Sequence, residues 1–308
     1  MTGVLLLNMG SPLSKKEMKL FLFNMFRDKA ILPFPTVQRT LLAYIISIFR
    51  YKSSWKKYEL IGGSKLIDSM NQIKDELATE LGQNYSVTTA YSYTLPGIKD
   101  GIKTLRDKGI REIKIVTMFP QSSFSTTESI KNDVDKVKNK FSDVQISIMK
   151  TFAENPDFIS YWVELIQETI LKHNYKNPTL LFSAHAIPVY QVEKGDTYVD
   201  EINLSAKTIA DKLDLKYRVS FQSKIGRIKW VGPDSKDCLK GMHTENIDEI
   251  ILVPISFVNE NLETAYDQDV EIIPYGKDEL GIKNICRVEI PQSHPLLIAT
   301  FKQLLTES

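Results

Sequence analysis

The sequence predicts an α/β protein of two similar halves, each a parallel sheet flanked by helices, and three observations carry that prediction. First, strand-like apolar runs alternate with helical patterns from end to end: Val4 to Leu7, Tyr85 to Tyr93, Glu112 to Phe119, Val144 to Met149, Thr179 to Phe182, Tyr217 to Gln222 and Asp248 to Pro254. Strand–helix alternation of this kind builds parallel sheets. Second, Thr179-Leu-Leu-Phe-Ser-Ala-His-Ala-Ile-Pro188 repeats the form of Leu5-Leu-Leu-Asn-Met-Gly-Ser-Pro12, an apolar strand ending in a short turn and a proline. Third, His173-Asn-Tyr-Lys-Asn-Pro178 is linker-like and divides the chain into residues 1–174 and 175–308. A length of 308 residues accommodates two domains of ordinary size.

Composition narrows the function classes. Hydrophobic content of 43% and charged content of 25% are those of a soluble globular protein. A net charge of +1 argues against a nucleic-acid-binding face. Cys238 and Cys286 are the only cysteines and form no C-x-x-C pair, which excludes a disulfide framework and a cysteine-built zinc or iron–sulfur site within this chain. A reducing, cytoplasmic setting is expected. The start, Met1-Thr-Gly-Val-Leu-Leu-Leu-Asn8, lacks the basic n-region of a signal peptide. Leu41 to Phe49 is the most apolar segment, far short of the roughly 20 residues that span a bilayer.

Taken in order, the first strand runs into a tight turn at Gly10 and Ser11-Pro12. Ser14, with Glu17 three residues on, marks a capping box for a helix from Lys16 to about Asp28. That helix contains the consecutive Phe21-Leu-Phe23, more apolar surface than one core-facing stripe requires. Pro33-Phe-Pro35 breaks the chain, and a helical pattern resumes from Val37 to Phe49. Arg50, Lys52, Lys56 and Lys57 follow, interleaved with Tyr51, Trp55 and Tyr58. An apolar lip over about residues 20–50, flanked by bases and aromatics, suits contact with a membrane surface.

Ile61-Gly-Gly-Ser64 is a loop and Ile67 to Leu81 a helix. Pro96 opens another, through Leu105, and Gln121-Ser-Ser-Phe-Ser-Thr-Thr-Glu128 is a hydroxyl-rich loop leading into a further one. Asp157 to His173 and Val199 to Leu213 complete the helical pattern ahead of the Ser223 to Pro233 loop. A last helix begins at Pro295.

No G-x-G-x-x-G or Walker motif follows any strand, so nucleotide binding lacks support. The chemistry-bearing residues instead gather where doubly wound sheets place function, after the carboxyl ends of strands. His185 comes immediately after a buried strand, in a turn, the position of a held base, whereas His173, His243 and His294 lie in linker-like or loop segments. Behind Glu249-Ile-Ile-Leu-Val-Pro254 comes a helix filled with acids: Glu260, Glu263, Asp267, Asp269 and Glu271. Glu263, Asp267 and Glu271 are spaced by four and share a face. Like charges so placed destabilise a helix by a few tenths of a kcal/mol per pair, roughly. Leu262 to Ile273 supplies no Lys or Arg to offset them, so the acids read either as a solvated face or as a path for cations or protons.

Ser183-Ala-His-Ala-Ile-Pro188, Gln222-Ser-Lys-Ile-Gly226, Trp230-Val-Gly-Pro233 and Leu262-Glu-Thr-Ala-Tyr-Asp-Gln-Asp-Val-Glu271 resemble the successive signatures of ferrochelatases. So do Leu7-Asn-Met-Gly-Ser-Pro12, Gly62-Gly-Ser64 and Pro120-Gln-Ser-Ser-Phe-Ser-Thr-Thr127, and the ordered set covers nearly the whole chain. The resemblance implies two Rossmann-like domains with the active-site cleft between them. It also implies insertion of ferrous iron into protoporphyrin IX to form haem, with both metal and porphyrin as substrates, no prosthetic group and no iron–sulfur cluster.

Residue by residue, the resemblance makes His185 and Glu263 the catalytic and metal-contacting pair. It makes Asp267 and Glu271 a relay on a helix with a π-type distortion, a feature common at functional sites. Met9, Phe26, Tyr93 and Trp230 would contact the porphyrin, and Ser223 and Asn71 its propionates. A base beside the ring nitrogens and an anionic route for iron or protons are what metallation needs.

Three departures stand out: Ser92-Tyr93 where the family commonly has Arg-Tyr, Lys65 where it has proline, and Asn261 where many relatives have histidine. No C-terminal extension bearing cluster-ligating cysteines is expected. The competing readings are a coproporphyrin III ferrochelatase, a cobalt or nickel chelatase of the same architecture, and a haem carrier without catalysis. A monomer or weak dimer, cytoplasmic or peripheral on the inner face of the cytoplasmic membrane, is expected.

Overall fold

In the computed structural model, residues 1–224, 226 and 228–307 are described, so Ile225 and Arg227 of the Gln222 to Trp230 run lie outside the described residues. The chain forms β1 (Thr2–Asn8), α1 (Lys15–Phe26), α2 (Thr36–Leu60), α3 (Leu66–Leu81), β2 (Tyr85–Tyr91), α4 (Ile98–Asp107), β3 (Glu112–Thr117), α5 (Thr127–Lys138) and β4 (Gln145–Ile148). It continues with α6 (Pro156–His173), β5 (Thr179–His185), α7 (Val189–Glu193), α8 (Tyr198–Leu213), β6 (Tyr217–Gln222), α9 (Ser235–Thr244) and β7 (Glu249–Val253). Two wide-turn helices with i→i+5 bonding follow, π1 (Glu263–Ile272) and π2 (Tyr275–Glu279), then β8 (Asn284–Arg287) and α10 (Pro295–Thr306).

Two parallel four-stranded sheets result, ordered β2-β1-β3-β4 and β6-β5-β7-β8. In each the strands lie in the relative order second, first, third, fourth, which is the internal duplication expected from the repeated strand–turn–proline form. The order reverses between first and third strands, so the switch points, where open α/β sheets carry their ligands, fall at β1/β3 and β5/β7.

The central strands explain the unbroken apolar runs. Val4 to Leu7 and Leu180 to Phe182 are wholly buried because helices cover both faces of these sheets. Helix α4 comes so close that a Cβ on Gly101 would stand 2.6 Å from Leu5 Cδ1 and 3.0 Å from the Ala90 Cβ.

The chain separates into two compact units, Met1–Thr151 with Gln292–Ser308, and Phe152–Pro291. The 174/175 division expected from composition differs from this. Helix α6 packs on α8 of the second unit, while closing helix α10 packs on α3 of the first. Composition marks an exposed connection but not the surface on which a terminal helix is buried.

Local signals account for most boundaries. Ser14 caps α1 by accepting from Glu17 N at 3.3 Å, and the Glu17 carboxylate reaches back to Leu13 N at 3.0 Å. Met18, Leu22 and Phe26, four apart, form its buried stripe. Helix α2 runs past Phe49 to Leu60, so the basic, aromatic stretch expected to follow a helix is part of one. It ends where Gly62 and Gly63 take positive φ. Its buried residues are only Ala43, Ser47 and Tyr58.

Candidate active site

In the second unit the carboxyl ends of β5 and β6 place the key side chains. His185 is the last residue of β5 rather than part of the turn beyond it, and it pairs in register with Gln222, the last residue of β6. The His185 ring is half-buried, with Nδ1 2.7 Å from the carbonyl oxygen of Ala186. A carbonyl only accepts, so Nδ1 carries the proton and Nε2 presents its lone pair. Tyr198, buried behind this strand end, hydrogen-bonds the His185 backbone; burial raises its phenol pKa above the ordinary value, so it stays neutral.

Gln222 joins the histidine strand to the acidic helix. Its Nε2 donates to the carbonyl of Glu263 at 2.8 Å, while its Oε1 accepts from Ser183 Oγ at 2.7 Å. With its side chain used at both ends, the amide orientation is fixed and the first residue of π1 is set beside β6. Ser223 takes a positive φ of 66° and donates its hydroxyl to Asp267. The strand end therefore grips π1 at Glu263 and again four residues on.

Along π1, Glu263 and Asp267 are half-buried and Glu271 is exposed, so the carboxylates run outward from the sheet end to solvent. Thr264, Gln268 and Ile272, offset by one position, form the buried face. Among the described residues no three His, Cys, Asp or Glu side chains gather as one metal cage. Trp230 is half-buried and bridges to Pro188, three residues beyond His185, which brings the Trp230-Val-Gly-Pro233 segment beside the histidine turn.

In the first unit the corresponding strand end carries Met9, half-buried, just after β1. A Cβ at Gly10 would collide with the Thr94 side chain, so this turn lies hard against the segment after β2. Ser92 N and Tyr93 N donate to the carbonyls of Asn8 and Met9, each at 3.0 Å. Tyr93 is buried with its hydroxyl 2.8 Å from Asp28 Oδ2, and Asp28 also accepts from Ser129. Burial first, and the Asp28 charge second, hold this phenol well above its ordinary pKa, so it remains a hydrogen-bond donor. Phe26 is buried at the end of α1, and Asn71 is exposed on α3 next to buried Met70.

The structure thus brings His185, Ser223, Glu263 and Asp267 together through Gln222, with Trp230 beside the same turn, and Met9 with Tyr93. Asp28, which holds Tyr93, and Arg287, which holds Glu260 and Asp269, are partners that sequence reasoning missed. Gln222 stood inside a quoted motif, but nothing in its type signalled a bridge. Glu260 and Asp269, which fall off the ladder, both accept from Arg287.

The family model described as Ferrochelatase matches residues 1–308. The ferrochelatase of Aquifex aeolicus is 32% identical over 310 residues, covering 98% of each protein. That of Geotalea daltonii is 30% identical, covering 99% of this chain and 97% of its own length. Among solved structures, sirohydrochlorin chelatase SirB of Bacillus subtilis subspecies spizizenii with cobalt superposes at a TM-score of 0.61 and 10% identity, covering 99% of this chain and 94% of that one. SirB from Bacillus subtilis with Fe3+ gives 0.57 and 12%, with the same coverage. These structural likenesses show the shared chelatase-like α/β fold. The family model and the relatives at about 30% identity show more: this chain belongs to the ferrochelatase family.

Proposed function

We propose that this protein inserts ferrous iron into protoporphyrin IX, releasing two protons and yielding protohaem. One divalent cation enters and two pyrrole protons leave, with no change of oxidation state. The observation that carries the reading is the line of contacts from a strand-end histidine to an outward-running acid ladder. His185 registers with Gln222, Gln222 holds the Glu263 carbonyl, and Ser223 donates to Asp267.

In this reading His185 accepts a pyrrole proton at Nε2, since Nδ1 is committed to the Ala186 carbonyl. A positioned imidazole is the commonest general acid–base group, and this one accepts the proton and passes it on within one turnover. Glu263 meets the metal or the second proton, and Asp267 and Glu271 pass charge between the strand end and solvent. Hard carboxylate oxygens bind ferrous iron without retaining it as a thiolate cage would. The candidate macrocycle contacts are Met9, Phe26 and Tyr93 in the first unit and Trp230 in the second, and the candidate propionate contacts are Asn71 in the first and Ser223 in the second.

Anaerobic assay of purified protein with ferrous iron against protoporphyrin IX and coproporphyrin III, following loss of porphyrin fluorescence, tests the reading. Turnover of protoporphyrin IX supports it. Turnover of coproporphyrin III alone redirects the substrate, and haem binding without turnover of either overturns it.

We infer in addition a peripheral membrane contact through α2. Val37, Leu41, Ile45 and Phe49 are exposed at successive four-residue steps, with Arg39, Arg50, Lys52 and Lys56 on the same helix. Among the described residues no helix is long and apolar enough to cross a membrane. Replacing Leu41 and Phe49 by Asp should abolish co-sedimentation with anionic vesicles while leaving the melting temperature within about 2 °C of the parent. Unchanged sedimentation excludes this surface.

A further inference from the structure

The carboxylates around π1 divide into two sets. Glu263, Asp267 and Glu271 form the ladder, while Glu260 and Asp269 are drawn to a single side chain from elsewhere, Arg287. This arginine ends β8, the edge strand of its sheet, and its side chain is only 7% exposed. Nε and Nη2 grip Asp269 in a two-pronged pair at 2.8 and 2.7 Å. Nη1 and Nη2 both reach Glu260 Oε2 at 3.2 Å, and Nη1 also reaches the carbonyl of Val288 at 3.2 Å. These contacts use all five N–H donors of the guanidinium. Glu260 in turn accepts from Thr264, and Thr264 and Asn261 exchange hydrogen bonds at 3.0 Å in both directions. The entry to π1, on both sides of Glu263, is therefore tied to β8.

Geometry gives this tie a specific consequence. Asp269 lies within π1, whereas Glu260 stands in the non-helical segment just ahead of it, so one guanidinium ties the interior of the helix to the chain that enters it. From Glu263 to Asp269 an α-helix turns through about 600° and the wide form through about 490°, so where Asp269 stands relative to that anchored entry depends on the form. The ladder depends on the same choice. Between Glu263 and Glu271 an α-helix advances about 80° past full turns, whereas the wide form falls about 65° short. Changing form would swing Glu271 through roughly 145° relative to Glu263.

We propose that Arg287 is a positioning residue for the acid ladder: by clamping Glu260 ahead of π1 to Asp269 within it, its guanidinium holds the helix in the wide-turn form that sets where Glu263, Asp267 and Glu271 stand. The side-chain hydrogen bonds of Arg287 go to Glu260, Asp269 and the Val288 carbonyl, and it acts on the ladder through the backbone that Asp269 shares with it. The inference rests on the proposed iron insertion for its effect on turnover, but its structural part stands apart from that chemistry. Lysine is not a substitute, because a single ammonium cannot reproduce the planar fork.

The test uses the full-length protein with Arg287→Lys, Arg287→Met and the neutral triple Arg287→Met/Glu260→Gln/Asp269→Asn. Iron insertion is assayed anaerobically, porphyrin binding by fluorescence quenching, and exchange of backbone amides over residues 263–272 by mass spectrometry. Arg287→Lys should lower kcat at least tenfold, change the porphyrin KM less than twofold, and speed amide exchange across π1. The triple variant removes the unpaired charges, so it should regain the melting temperature but not the kcat, which separates positioning from mere stability.

Should Arg287→Met fail to fold, the lysine and triple variants carry the test. A folded Arg287→Lys with kcat within twofold of the parent, or a triple that regains kcat together with stability, overturns the proposal. If the parent protein itself inserts no metal into either porphyrin, the functional reading fails, and the exchange measurement decides the clamp alone. Unchanged exchange over 263–272 in Arg287→Lys then overturns it, and faster exchange supports it.

Discussion

Helices α5 and π1 hold the same place in the two repeats, each following the third strand of its sheet, yet they manage their charges in opposite ways. Helix α5 neutralises itself: Glu128, Asp133 and Asp135 each pair with a lysine three residues on, Lys131, Lys136 and Lys138. Helix π1 carries Glu263, Asp267, Asp269 and Glu271 and has no basic residue of its own. Among the described residues, Arg287 of β8 pairs with Asp269 and Glu260. A self-paired helix is an ordinary solvated face. A helix with three acids in line and no basic residue of its own, whose other acids are anchored from outside, is built on a different plan.

The largest effect should come from emptying the ladder at its inner end. Glu263→Gln, and separately His185→Ala, should cut iron insertion by about 10²- to 10⁴-fold, the usual contribution of a positioned acid or base, with porphyrin quenching retained. Glu128→Gln, the acid in the first turn of α5, should change turnover less than twofold. Near-normal insertion by folded Glu263→Gln, or an equal loss in Glu128→Gln, would erase the functional contrast between the two helices.

Second in size is a stability effect. Arg287→Met leaves Glu260, whose side chain is 17% exposed, without its buried cation. Breaking such a pair from one side costs about 3–5 kcal/mol. Chemical denaturation of the second unit should report a loss of that order, and a loss below about 1 kcal/mol would mean that the pair is screened like a surface one.

How much of this was legible in the sequence follows from which signals are local. The strand positions, the duplication and the ladder residues came from periodicity and motif, which survive in one dimension. The Arg287 clamp did not, because Arg287 lies 18 residues beyond Asp269 and nothing in their separation announces a pair. The wide turn of π1 was expected only from family resemblance, since four-residue spacing suits an α-helix nearly as well. The unit boundary was obscured because α10 returns to pack on α3, a long-range contact that linker composition cannot encode. Tyr93 read as a porphyrin contact, but its hydroxyl is also a structural tie to Asp28, invisible without the fold.

That tie gives the third prediction and sharpens the comparison from the α5 side. Ser129 of α5 and Tyr93 both donate to Asp28, so α5 contributes to its unit by fixing a tyrosine rather than by presenting acids. Tyr93→Phe removes one hydrogen bond to a carboxylate and should cost about 1.5–3 kcal/mol. Its effect on iron insertion should enter through the porphyrin KM, with kcat within about threefold of the parent, an uncoupling of binding from chemistry. A fall in kcat equal to that of His185→Ala would place Tyr93 in the proton chemistry instead.

The smallest effect is the one that makes the contrast quantitative. The Lys136–Asp133 and Lys138–Asp135 pairs of α5 are solvent-accessible, with lysine side chains 73% and 53% exposed. Exposed pairs at helical spacing contribute about 0.2–0.5 kcal/mol each. Water and salt already screen the charges, and holding two long side chains together opposes the gain. Lys136→Met and Lys138→Met should therefore lower stability by no more than about 1 kcal/mol together, less at high ionic strength, with no change in turnover. Denaturation midpoints at low and high salt check this. A salt-independent loss approaching that of Arg287→Met would show that α5, like π1, depends on a desolvated clamp, and the distinction between the two helices would collapse to one of degree.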